Sequence, residues 1–165
     1  MPKKIAKSGF RNWKTDRLPD LSGKTFFITG GNSGIGFEAA KYLGGAGGDL
    51  IIAARNPDKA ARAVAALKPN VKGNVDQVTL DLADLSSVRA AAEETRSKVS
   101  RLDALINNAG IMQTPAQKTA DGFEMQIGTN HLGHFQIYRL KLEQVEKASG
   151  RIVHVRRNAT KYGHM

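Results

Sequence analysis

Cysteine is absent from this sequence of 165 residues, and so is any long apolar run. Without thiols, the protein has no disulfides, no thiolate metal ligands and no cysteine nucleophile. No segment approaches the roughly 20 apolar residues of a membrane-spanning helix, and the basic N-terminus lacks the apolar stretch of a secretory signal. These absences predict a cytoplasmic protein without a membrane span, and they leave a transit peptide open as the alternative for the N-terminus.

Acidic residues are scarce at both ends of the chain. The formal net charge of +10 divides into +5 over residues 1–24, +5 over residues 139–165 and zero between them. A nucleic-acid-binding protein would instead gather basic residues on one element or face. Charge at the two chain ends, outside the motif-bearing middle, indicates solvated surface residues. We therefore expect no nucleic-acid partner.

Strand-like and helix-like segments alternate along the chain. The predicted strands are residues 25–28, 49–53, 75–80, 102–107 and 151–155. The predicted helices are residues 38–43, 57–67, 87–99 and about 121–147. Such alternation produces right-handed crossovers and a parallel sheet that is covered on both faces.

A glycine-rich turn, Thr29-Gly30-Gly31-Asn32-Ser33-Gly34-Ile35-Gly36, joins the first predicted strand to the first predicted helix. In a dinucleotide-binding loop the first glycine permits a sharp turn, the second lets backbone approach the pyrophosphate, and the third lets the helix pack closely on the strand. The helix start then offers free N–H groups to the anion. The candidate cofactor residues here are Gly30, Asn32, Ser33, Gly34, Ile35 and Gly36.

This context predicts an α/β fold of the Rossmann type, a three-layer αβα sandwich with a parallel sheet in the order 3-2-1-4-5. We assign residues 23–165 to this domain and residues 1–22 to a basic N-terminal arm.

Two further candidate cofactor positions follow the second and third strands, at the sheet edge where ligands bind. Arg55 stands where an NAD-binding protein usually places an acid, and its guanidinium could fork onto a 2′-phosphate. This position favours NADP(H) over NAD(H), with a solvated loop charge as the alternative. Asp81, followed by Leu82, is placed to meet the adenine edge, but capping of the next helix is an equally good interpretation.

These motifs together resemble the short-chain dehydrogenase/reductase family. Residues 29–36 match its cofactor loop, Asp81-Leu82 its adenine contact, and Asn107-Asn108-Ala109-Gly110 its fourth-strand motif. Residues 121–124, 130–135 and 150–155 are most similar to the retinol-dehydrogenase and WW-domain-oxidoreductase branch. The resemblance covers about residues 18–163. It adds Asn108, Ala109 and Gly110 to the candidate cofactor residues.

The resemblance implies reversible hydride transfer between a nicotinamide cofactor and a small carbonyl or alcohol substrate. Family members use a tyrosine for proton transfer, a lysine that lowers the pKa of that tyrosine, a serine that orients the substrate oxygen, and an asparagine that holds a relay water. Because the hydride comes from the cofactor, the protein supplies proton transfer and placement. Asn130 matches the asparagine and is the candidate catalytic residue. Its alternative role is to satisfy a kink in the long helix.

After the fifth predicted strand the sequence departs from the family. Arg157 stands where the catalytic serine would be, and Tyr162 has no lysine four residues after it. The resemblance therefore implies a chain truncated after the fifth strand and inactive alone. Two function classes stay open: an NADP(H)-dependent oxidoreductase that is either truncated in this sequence or completed by another segment, and a non-catalytic NADP(H)-binding remnant or regulatory protein. The substrate is not identified by these residues.

Polar residues on the long helix replace the leucines that relatives tend to carry. They are Gln136, Lys141, Glu143 and Gln144. In the family this helix pairs with the next helix and lies at a subunit interface, so a homo-oligomer stays open. We expect these polar residues to make exposure of this helix face to solvent less unfavourable.

Three histidines are weaker candidates. His131 and His134 are three residues apart on the long helix and could share a face, but no nearby carboxylate completes a metal set. We therefore interpret them as structural and predict no metal site. His154, in an apolar strand, is predicted to be a core histidine with its hydrogen bonds satisfied.

Overall fold

The computed structural model describes residues 14–156, which form one parallel sheet flanked by helices. The five strands of this part of the chain are β1 (Thr25–Thr29), β2 (Asp49–Ala54), β3 (Val75–Thr79), β4 (Ala104–Asn107) and β5 (Arg151–His154). Their order is β3-β2-β1-β4-β5, and every pairing is parallel. The predicted fold and strand order are confirmed.

The helices lie in the connections between the strands. They are α1 (Gly34–Gly45), α2 (Pro57–Leu67), α3 (Leu85–Lys98), α4 (Met125–Ile127) and α5 (His134–Lys147). Short 3₁₀ turns occupy Thr15–Arg17 and Lys68–Asn70. Among residues 14–156, no helix combines the length and the apolar character that crossing a membrane requires.

Two apolar cores lie on opposite faces of the sheet. Phe27 packs with residues of α3 and α5, whereas its neighbours Phe26 and Ile28 pack with residues of α1 and α2. Successive side chains of a strand point to opposite faces, so a strand covered on both sides must be apolar throughout. This is why β1 and β2 read as continuous apolar runs.

The predicted helix over residues 121–147 is wrong at its start. Lys118 and Glu124 form an antiparallel bridge, and Gly122 turns the chain between them with φ +84°. The Glu124 carboxylate then caps α4 by accepting the Gln126 and Ile127 N–H groups at 2.9 and 2.8 Å. A capping carboxylate favours a helix start, which places it four residues later than the periodicity indicated.

A π-helical segment, Gly128–Gly133, separates α4 from α5. Its wider winding brings Gly133 so close to the Leu82 carbonyl that a Cβ there would overlap it. Single π turns inside helices often accompany functional sites. This segment carries Asn130.

Lys141 and Gln144 contradict the expectation of an exposed polar face. Both side chains are buried between α5 and α3, while Glu143 is exposed and Gln136 half-buried. The polar heads find acceptors and donors on the opposing elements, which is what permits their burial.

His154 is not a core residue, contrary to the prediction. It is exposed, as is its neighbour Val153, because β5 is an edge strand whose faces are largely uncovered by the described residues. The His154 ring nitrogen Nδ1 lies 3.3 Å from Asn107 Nδ2.

Part of the predicted N-terminal arm lies within the described residues. Within the predicted arm, Leu21 is buried and its N–H donates to the Ala46 carbonyl at 2.8 Å. The boundary at residue 22, the cytoplasmic location and the absence of a nucleic-acid partner stay predictions. Arg157 and Tyr162 lie outside the described residues.

Candidate functional site

A cleft of about 400 Å³ opens at the carboxyl edge of the sheet, beyond the ends of β1 to β4. We call it the sheet-edge cleft. Ten of the twelve predicted cofactor residues line it: Gly30, Asn32, Ser33, Ile35, Arg55, Asp81, Leu82, Asn108, Ala109 and Gly110. Gly34 lines the adjoining groove between α1 and α2, and Gly36 lies on neither lining. The structure thus brings together residues up to 80 positions apart in the sequence.

Two different structural constraints require glycine in this loop. Gly30 and Gly34 adopt φ +65° and +53°, a region that glycine enters without steric penalty. At Gly36 a Cβ would lie 2.5 Å from the Gly30 carbonyl oxygen and 2.5 Å from Asn108 Nδ2. The close packing predicted for Gly36 is therefore between the start of α1 and the loop backbone.

We expect Gly36→Ala to lower the free energy of unfolding by about 1–3 kcal/mol, because overpacking against rigid backbone forces a backbone shift. Gly45→Ala in the same helix is the matched control. The nearest atom to its Cβ is the Asn70 carbonyl oxygen at 3.5 Å, so stability should not fall, and the higher helix propensity of alanine should raise it by up to about 1 kcal/mol. Denaturant titration of both variants measures this. Equal stability of Gly36→Ala and wild type would contradict the packing role.

Thr29 links the ends of β1 and β4, although it is not among the residues predicted for the site. Its buried hydroxyl accepts the Asn108 and Ala109 N–H groups, both at 2.9 Å. In return, Asn108 Nδ2 donates to the Thr29 carbonyl at 2.9 Å. The position of Thr29 at the head of the glycine motif was the available sequence signal.

Asn130 reaches from the π-helical segment to the loop after β4. Its Oδ1 accepts the Ile111 N–H and its Nδ2 donates to the Ile111 carbonyl, each at 2.8 Å. The side chain is therefore used across elements and does not satisfy a helix kink. This position beside Gly110 brings Asn130 to the border of the sheet-edge cleft, and its catalytic role stays a prediction.

Asp84 caps α3, so the alternative role considered for Asp81 is wrong. Asp84 Oδ1 accepts the Ser86 and Ser87 N–H groups at 2.8 and 3.3 Å. The Ser86 hydroxyl also donates to this carboxylate at 2.6 Å; it contributes most to holding the pKa of Asp84 below its usual value, and the two N–H bonds add to the effect. Asp81 instead accepts the Ala83 N–H at 2.9 Å and borders the cleft.

Arg55 stands immediately after β2 and is exposed at the cleft. It has no ion-pair or hydrogen-bond partner among residues 14–156. Its guanidinium is therefore available to an anionic ligand.

The two helix histidines do not share a face. His131 is exposed, whereas His134 is buried with Nε2 3.0 Å from Thr29 Oγ1 and Nδ1 3.1 Å from the Asn130 carbonyl. No group of three His, Cys, Asp or Glu within residues 14–156 is arranged to hold a metal ion.

The fold and the cleft define a doubly wound α/β domain with a glycine-rich loop at its first helix. A family model described as "short chain dehydrogenase" matches residues 24–165. The chain belongs to the short-chain dehydrogenase family.

Individual relatives agree with this membership. The chain is 47% identical to mouse retinol dehydrogenase 11 over 148 residues, which cover 87% of this chain and 45% of that protein. A crystal structure of a putative uncharacterized protein from Mycobacterium paratuberculosis is 45% identical, with a TM-score of 0.70 over 80% of this chain and 46% of the other. The Pseudomonas aeruginosa RhlG/NADP active-site complex is 26% identical, with a TM-score of 0.72 over 82% and 55%. The chain thus spans about half the length of the relatives it matches.

Proposed function

We propose that the sheet-edge cleft binds NADP(H), and that this chain forms the cofactor-binding part of an oxidoreductase acting on a small carbonyl or alcohol substrate. The observation that carries the proposal is the meeting of an unpaired Arg55, the glycine loop and Asp81 in one cleft. Family membership supplies the reaction class, and a relative in complex with NADP supports the cofactor.

The residues present fit a dinucleotide phosphate. No side chain of the described residues caps the N–H groups at the start of α1, which begins at Gly34. A helix start with free N–H groups and a positive dipole end favours an anion. Residues 30 and 32–36 would hold the pyrophosphate, and Asp81 with Leu82 the adenine edge.

Arg55 would hold the 2′-phosphate that distinguishes NADP(H) from NAD(H). Guanidinium–phosphate contacts are charge-assisted and often bidentate, and an acid at the same position would repel the phosphate. The bound cofactor supplies the hydride, and the protein supplies placement and the proton. Asn108 and Ala109, both held by Thr29, would shape the wall beyond the loop together with Gly110.

Arg55→Asp is the test of this assignment. We expect NADP(H) to bind about 10- to 100-fold more weakly, since a charged hydrogen bond contributes about 1.5–3 kcal/mol, and NAD(H) to bind no more weakly than before. Arg139→Asp on the exposed side of α5 makes the same charge change outside the cleft and should alter neither affinity. Fluorescence titration of both cofactors gives the values. Equal affinity of the wild type for NADPH and NADH would refute the preference.

A non-catalytic NADP(H)-binding protein is the second candidate. It is favoured by Arg157, which stands at the position of the family's serine. Cofactor binding is common to both candidates. Turnover in the presence of a segment that carries the family's serine, tyrosine and lysine distinguishes them, because only the oxidoreductase would then be active.

A further inference from the structure

The hydroxyl of Thr29 lies within hydrogen-bond distance of four groups, although it can bond to only three of them at once. A hydroxyl has one proton and two acceptor lone pairs. The Asn108 and Ala109 N–H groups, both at 2.9 Å, occupy the two lone pairs. The proton must then go to His134 Nε2 at 3.0 Å or to the Ile106 carbonyl at 3.5 Å. The shorter distance selects His134 as the acceptor.

The other side of the imidazole requires the same arrangement. His134 Nδ1 lies 3.1 Å from the Asn130 carbonyl, which only accepts, so Nδ1 must carry a proton. Nε2 is then free to accept from Thr29. Both contacts therefore specify one neutral tautomer, with the proton on Nδ1.

Burial opposes protonation of this ring. It lowers the pKa of His134, an effect to which the charge of His154 on β5 adds and which the Asn130 carbonyl partly offsets. His154 is the ionisable group among the described residues whose charge acts on His134. A proton on Nε2 would make three donors compete for the two lone pairs of Thr29.

We infer that His134 is a positioning residue of the sheet-edge cleft, because its Nε2 accepts the Thr29 proton and so orients that hydroxyl to hold the Asn108 and Ala109 backbone. The chain of bonds joins the π-helical segment, the end of β1 and the loop after β4. As a statement about cofactor affinity, the inference rests on the proposed function.

Two near-isosteric variants separate the two bonds of the ring. His134→Gln places an amide oxygen near the site of Nε2 and keeps the acceptor for Thr29. His134→Asn keeps only the donor to the Asn130 carbonyl, and His134→Leu keeps neither. We expect Gln to bind NADPH within about threefold of wild type, and Asn and Leu to bind about tenfold more weakly.

The pH dependence gives a readout that a packing role would not produce. Wild-type affinity should fall as the pH drops through the pKa of His134, below its ordinary value near 6.5. The affinity of the Gln variant should not show this fall. The phosphate of the cofactor titrates equally with both proteins, so subtracting one pH profile from the other leaves the contribution of His134. His154→Gln should retain it.

Measurements on the cofactor-free protein test the inference without the proposed function. Nitrogen-15 NMR of the imidazole should show the proton on Nδ1, and the Asn108 and Ala109 amides should exchange slowly in wild type and Gln but faster in Asn and Leu. A proton on Nε2, or Gln behaving like Leu, overturns the inference. If the Leu variant does not fold, the comparison of Gln with Asn decides. Failure of wild type to bind NADPH, with the tautomer and exchange as expected, overturns the proposed function alone.

Discussion

The free energy of unfolding is expected to rise by about 3 kcal/mol between pH 8 and pH 10.5. The Lys141→Met variant should not show this rise. The Lys141 side chain is fully buried in α5. Its Nζ donates to the Ala92 carbonyl of α3 and, at 2.8 Å, to Gln144 Oε1. Gln144 Nε2 in turn donates to the Val99 carbonyl at 2.6 Å. The ammonium is thus buried with amide partners and no carboxylate.

Burial lowers the pKa of Lys141 from 10.5 to about 8; the positive charge of Arg96 adds to this, and Glu93 partly offsets it. Below pH 8 both the folded and the unfolded chain hold the proton, so the folded state bears the full cost of the buried charge. Between pH 8 and 10.5 the unfolded chain binds more protons than the folded one, and stability increases with pH. A pKa shift of this size corresponds to about 3 kcal/mol in the free energy of unfolding.

Denaturant unfolding of wild type and Lys141→Met at pH 7, 8, 9 and 10 measures the step. Other groups titrate in this range, but they contribute equally to both proteins, so the difference between the two curves isolates Lys141. Lys147→Met is the control, since Lys147 lies on the exposed end of the same helix in an ion pair with Glu143. Parallel pH profiles for wild type and Lys141→Met would show that the buried lysine does not titrate in this window.

A polypeptide of these 165 residues is expected to bind NADPH without using it to reduce carbonyl compounds. Hydride transfer to a carbonyl leaves an alkoxide unless a proton arrives, and general acid catalysis contributes about 10²–10⁴-fold. Tyr162 has no lysine four residues later. Arg157 is too basic to donate a proton near neutral pH. Asn130 alone does not replace these groups.

An NADPH-oxidation assay against aldehydes, ketones and retinoids tests this expectation. The rate should equal the blank that contains cofactor and no substrate. Turnover above that blank which Asn130→Ala abolishes would contradict it and would favour the oxidoreductase over the non-catalytic candidate. Arg157→Ser should not restore activity, because a serine at this position would orient the substrate oxygen and would not replace the tyrosine that transfers the proton.

The burial of two polar residues of α5 could not be predicted from the sequence. Lys141 and Gln144 were expected to make an exposed helix face more polar. They are buried because Ala92 of α3 and Val99, directly after α3, present carbonyl groups to them. Conversely, His154 was expected in the core because its strand is apolar, and it is exposed because β5 lies at the sheet edge. The type of a residue alone does not determine which other parts of the chain pack over it.

Local rules were enough to predict the strand order, the glycine loop and most of the residues that meet at the sheet-edge cleft, and the family resemblance added Asn108, Ala109 and Gly110. Strand period, turn chemistry and the carboxyl-edge rule act over short stretches of sequence or follow from chain connectivity. The bonds of Asn130 to Ile111 and the tautomer of His134 were decided only by the tertiary structure. Each depends on hydrogen-bond distances, and the Thr29–His134 contact joins residues 105 positions apart. No local pattern encodes such a distance.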